Sequence, residues 1–185
     1  DTGTASPLEI GQMASPGGGV PFYPSAWHAT AALVVQLTGV SIPAAINAMS
    51  LTTAAIIWPA GALLLARTLL GSTPSVMIGA GIVAASVPAF PLLPMDYGVL
   101  YPYQLALALL PATLAATASL LGIGRYARRI APGWWALVII GAVPGLALAH
   151  PGGFVAWLAL SVPTIVVFAA RLWRTAPSTR RRVLI

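Results

Sequence analysis

The sequence predicts an all-α fold: a polytopic transmembrane helical bundle of five spanning helices, with one short interfacial or re-entrant helix at the outer face. Six spans are the alternative, if that short helix also crosses. Three observations carry this. The 185-residue chain is 58% hydrophobic and 6% charged, whereas soluble domains carry about 25% charged residues, so lipid has to solvate most of the surface. Apolar stretches near the ~20 residues needed to cross a bilayer recur along it. All nine basic residues are arginines, confined to Arg67, to Arg125, Arg128 and Arg129, and to Arg171, Arg174, Arg180, Arg181 and Arg182. Asp1, Glu9, His28, Asp96 and His150 occupy the alternate connections, the segregation that the positive-inside rule produces.

Residues 1–22 read as an outer loop, rich in Gly, Ser and Pro. Residues 23–39 form the short helix. Pro24 suits its first turn and Gly39 its stop, and an apolar part of about a dozen residues is too short to span. The bundle occupies 40–175. Its spans are 42–70, ending at Arg67; 73–93, closing among Pro88, Pro91 and Pro94; 99–123, opened by Tyr101, Pro102 and Tyr103; 132–149, between Trp134/Trp135 and His150; and 154–172, closed by Arg171. Residues 176–185 are a basic tail. Placing every arginine inside fixes alternation without exception, with Asp96, Tyr97 and His150 outside and the C-terminus cytoplasmic at a bacterial plasma membrane. Helix packing is expected at small-residue pairs, Gly141 with Gly145 and Ala112 with Ala116.

The composition also excludes functions. The chain has no cysteine, which removes disulfides and thiolate chemistry. It has no lysine either, and with its many Ala, Gly and Pro residues this suggests a GC-rich bacterial genome. The arginines flank apolar segments without aromatic or Gly-rich RNA motifs, so they read as anchors on anionic headgroups, and nucleic acid is not an expected partner. No ionisable residue falls near the middle of a span, which argues against proton relays and voltage sensors. Phosphate loops, H-E-x-x-H and nucleophile elbows are absent. Beginning at Asp1 without a signal peptide, the chain reads as a piece of a longer or processed polypeptide.

Polar chemistry is left to the outer face. Glu9 and Asp96 are the candidate catalytic carboxylates, with Tyr23, Trp27, His28, Tyr97, Tyr101 and His150 as candidate substrate-binding groups. No cofactor is predicted; two histidines and two acids offer donors for a divalent metal, at spacings that are not diagnostic. Each residue also has a plainer role, as an aromatic belt anchor, a turn residue or a helix cap.

Tyr23, Pro24, Trp27, His28, Thr38, Gly39, Asn47, Trp58, Pro59 and Arg67, in that order, resemble the pattern of a family of polytopic membrane proteins from actinobacteria. The later stretches AFPLLPMDYGVLYPYQLALALLPA and ALAHPGGF extend the likeness over nearly the whole chain. More distantly, the order Tyr-Pro-x-x-x-His, short helix, Gly, apolar helix, Arg is similar to the region after the first outer loop of membrane glycosyltransferases of fold class C. That resemblance implies a cell-envelope enzyme, or a relic of one, using a polyprenyl-phosphate sugar at the outer face, with its general base before residue 1 or at Glu9. The absence of outer-face arginine departs from a phosphate-binding site. The sequence also accommodates a non-catalytic subunit of a larger membrane complex, or a carrier of lipid-linked substrates.

Overall fold

The computed structural model describes residues 6, 8, 22–87, 89–90, 92–98, 100–125 and 130–175. Glu9, Asp1, Arg128, Arg129 and Arg180–Arg182 lie outside the described residues, as do most of the predicted outer loop and all of the basic tail. Among the described residues every regular element is a helix and none is a strand, as a polytopic bundle requires, because a backbone in hydrocarbon must satisfy its polar groups internally. In order the helices are α1 (Ala26–Thr38), α2 (Ile42–Leu70), α3 (Pro74–Ser86), α4 (Leu92–Asp96), α5 (Tyr101–Leu120), α6 (Pro132–Ala149) and α7 (Pro151–Thr175). Four of them, α2, α5, α6 and α7, are long and apolar enough to cross a membrane.

The predicted span 73–93 is not one continuous helix. Helix α3 stops at Ser86 after 13 residues, about 20 Å at the α-helical rise and short of a hydrocarbon core of ~30 Å. Val87 turns extended, with φ −76° and ψ 105°, because the residue before a proline is driven out of the α region; Pro88 follows. The passage to the far side is completed by irregular backbone and α4, where Phe90 is buried against Trp58 with ring centroids 4.6 Å apart. Non-helical backbone at this depth is tolerable where protein covers it.

Helix α1 is likewise 13 residues, about 20 Å at the α-helical rise, the short helix that the sequence predicts. Gly39 ends it at φ 70°, with its N–H donated to the Val35 carbonyl at 2.8 Å. The chain then reverses, and the first part of α2, Ile42–Thr52, packs chiefly against α1. Inside α2, Pro59 cannot donate to the carbonyl of Ala55. The backbone answers with a π-helical turn over Thr53–Ile57, in which the Trp58 N–H reaches back to Thr53 O.

Helix α5 is the central post. Its spanning window is 61% buried, against 11% for each of the other three long helices, and it packs against the second part of α2, α6 and α7. Close approach is made by glycine facing alanine. A Cβ on Gly61 would stand 3.3 Å from Ala112 N and 3.4 Å from Ala108 O, and one on Gly153 would stand 2.7 Å from Ala106 Cβ. The expected pair Gly141 and Gly145 meets nothing within 4 Å; Ala112 does serve, as the seat for Gly61.

The two chain ends of the bundle are chemically distinct, as the charge pattern anticipates. The Arg125 N–H bonds to Thr68 O at 2.9 Å, and the Arg171 guanidinium donates to Gly122 O at 3.3 Å. The ends of α2, α5 and α7, with Arg67, Arg125 and Arg171, therefore meet at one side. Helices α2, α5 and α7 run parallel, and α3 and α6 return between them.

Candidate functional site

The opposite end is built around the first turn of α5. Tyr101 and Tyr103 stand two residues apart, roughly 200° around the helix, so they serve different neighbours. Tyr101 stacks on Trp27 of α1, with ring centroids 4.2 Å apart and planes 8° from parallel. Trp27 is 1% exposed and belongs to the core with Ala31, Met49, Leu105, Leu110 and Leu146. Both faces of its ring are thus committed to protein, and its part is to wall the site and set Tyr101.

His28, the next residue, points away from that core. Its Nε2 lies 3.0 Å from the Tyr23 Oη, and its ring meets Trp27 edge-on at 5.4 Å. Pro24 and Ser25 hold Tyr23 beside the helix start, where the Ser25 carbonyl accepts the Ala29 N–H at 2.8 Å. Partial burial disfavours the charged imidazole and lowers the His28 pKa.

On the other flank, Tyr103 meets His150 edge-on at 5.1 Å. His150 joins α6 to α7 with an extended backbone, φ −166° and ψ 131°. Its Nδ1 accepts the Gly152 N–H at 3.0 Å, so in the neutral ring the proton sits on Nε2. Its pKa too is lowered by burial. Both imidazoles are therefore neutral near pH 7, each in contact with a tyrosine ring, one on either side of the α5 N-terminus.

Two further polar atoms belong to this region and were not singled out by sequence. Gln104 is 1% exposed, and its Oε1 has no hydrogen-bond partner among the described residues; the same holds for the Trp27 Nε1. A buried acceptor and a buried donor left unpaired cost ~1–3 kcal/mol each, and such atoms call for a reason. The signal for Gln104 was a polar amide inside an otherwise apolar span. Tyr103 was visible as the second tyrosine of the helix opening, but its partner was not.

Asp96 and Tyr97, at the end of α4, are exposed, Tyr97 by 84%. Glu9 lies outside the described residues. Among the described residues no three His, Asp or Glu side chains are grouped to hold a metal. What the arrangement offers is a set of uncharged hydrogen-bonding groups and aromatic rings, suited to a hydroxylated ligand. No described guanidinium stands at this end to meet a phosphate.

The whole chain, residues 1–185, matches a family of unknown function, DUF6541, and belongs to it. No curated protein and no solved structure matches it.

Proposed function

We propose that this member of the DUF6541 family is a cell-envelope glycosyltransferase that takes a polyprenyl-phosphate-linked sugar at the membrane face opposite the arginines. By the charge rule that face is the outer one of a bacterial plasma membrane, and the C-terminus is cytoplasmic. The observation that supports the reading best is the pair of neutral histidines, His28 beside Tyr23 and His150 beside Tyr103, flanking the α5 N-terminus. Neutral imidazole and phenol groups bond sugar hydroxyls without a charge to desolvate. In the reaction a carboxylate, Asp96 or Glu9, removes the proton of an acceptor hydroxyl. The acceptor oxygen bonds to the anomeric carbon, and the bond from that carbon to the phosphate oxygen breaks. The phosphate leaves with the electron pair.

The test is turnover of a polyprenyl-phosphate hexose by the full gene product in lipid nanodiscs, read as release of polyprenyl phosphate. Asp96→Asn or Glu9→Gln should reduce release at least ~100-fold, the usual scale for a general base, and His28→Ala or His150→Ala should raise KM. Turnover that is unchanged in both carboxylate variants would refute the mechanism. A second reading, a non-catalytic subunit of a larger membrane complex, is favoured by the exposure of Asp96. Stable co-purification with a larger enzyme, with no turnover by the isolated chain, would select it.

A further inference from the structure

A groove of about 640 Å³ runs between α2 and α3, within the range of ligand sites. Its walls are apolar: Trp58, Leu65 and Leu70 from α2, Gly79 and Val83 from α3, and Pro111 of α5 at its back. It arises because α3 carries small residues where it faces α2, Gly79, Ala80 and Ala84, and so leaves room instead of filling it. One end is closed. The Trp58 indole N–H donates to Ala84 O at 2.9 Å, and Phe90 lies against the same indole. The other end, at Leu69 and Leu70, adjoins Gly71, against which the Arg125 side chain lies: a Cβ there would meet the Arg125 Cδ at 3.3 Å.

From Trp58 to Leu70 the groove follows about 18 Å of helix. One leaflet contributes about half of a hydrocarbon core of ~30 Å. The groove thus has the depth of one leaflet's acyl layer, a lid of aromatic rings near the bilayer middle and a guanidinium at the headgroup level. We propose that it holds an acyl chain of an anionic diacyl phospholipid from the arginine-side leaflet, with the phosphate drawn to Arg125. This site lies at the end of the bundle opposite the histidines and stands independently of the glycosyltransferase reading.

The glycines of α3 provide a matched test. Added Cβ atoms at Gly79 and Gly81 each meet nothing within 4 Å, yet only Gly79 lines the groove. The full chain, in nanodiscs of equimolar phosphatidylglycerol and phosphatidylcholine, would be released in the gas phase and its retained lipid counted by native mass spectrometry. The wild type should keep one lipid, phosphatidylglycerol over phosphatidylcholine by about fivefold, the attraction of one surface arginine. Gly79→Leu and, independently, Val83→Phe should lose the retained lipid. Gly81→Leu should keep it, and Arg125→Gln should keep a lipid but lose the preference. Equal retention by Gly79→Leu, Val83→Phe and wild type would overturn the site. Equal retention of both lipids by wild type would overturn the role of Arg125. Preferential retention of an added isoprenyl phosphate would overturn the diacyl occupant.

Discussion

The contact of Gly153 with α5 makes the packing argument quantitative. Gly153→Ala places a methyl 2.7 Å from Ala106 Cβ and 3.2 Å from Leu146 Cδ1, while carbon atoms rest at about 3.5–4.0 Å. Helix α7 therefore has to retreat by about 1 Å from two neighbours that are both 0% exposed. Overpacking of this kind costs ~1–3 kcal/mol. Alanine normally gains up to ~1 kcal/mol over glycine in a helix, but in lipid the separated helix stays helical, so little of that gain is recovered. Gly141→Ala is the control, since its methyl enters open space. At about 2–4 °C per kcal/mol for a chain of this size, Gly153→Ala should lower Tm by ~2–12 °C relative to Gly141→Ala. The six tryptophans report unfolding in detergent by intrinsic fluorescence. A Gly153→Ala protein as stable as the Gly141→Ala protein would refute the close approach of α7 to α5. The same retreat should carry His150 off Tyr103, so binding at the histidine end should weaken along with stability.

Gly124→Ala should be more severe, because Gly124 has φ 106° and its Cβ would overlap the Thr68 carbonyl oxygen; the expected readout is loss of monodisperse protein on size exclusion. Thr117→Val keeps the shape but strips the Trp157 Nε1 of its acceptor at 2.9 Å, and should cost ~1–3 kcal/mol in Tm-derived stability, with Thr117→Ser close to wild type. For pH, the folded-state pKa values of His28 and His150 are lowered by desolvation, so the unfolded chain binds more protons as the medium acidifies. Stability should be fully present above the ordinary imidazole value of about 6.5 and fall as pH drops below it; a Tm series from pH 8 to pH 5 should show this slope, and His28→Gln/His150→Gln should flatten it.

The gathering of Arg67, Arg125 and Arg171 at one end was legible because arginine falls only in alternate connections, and geometry has only to respect it: Arg125 on Thr68 and Arg171 on Gly122 are its outcome. The helix of the predicted span 73–93 stops early for a local reason. Apolarity there is continuous, so a hydropathy argument runs through it, but Pro88 forces Val87 extended and the helix cannot continue. The expected glycine pair, Gly141 with Gly145, meets no neighbour within 4 Å for the opposite reason. Small-xxx-small spacing says that a face permits close approach, and it cannot say which faces become neighbours; Gly61 and Gly153 acquired partners only when α5 became the post between them.

The site was half legible for the same geometric cause. His28, Tyr23, Trp27 and Tyr101 were all visible as polar or aromatic residues at one end, and they are in contact, Tyr23 with His28 and Trp27 with His28 and Tyr101. Helical rotation sends Tyr101 toward α1 and Tyr103 toward the α6–α7 junction, so the two histidines hold separate flanks of one helix start. At the same helix start the buried Gln104 Oε1 and Trp27 Nε1 have no hydrogen-bond partner among the described residues. A hydrophobic core built only for packing would place leucine at position 104, as α5 does one residue later, and lose nothing.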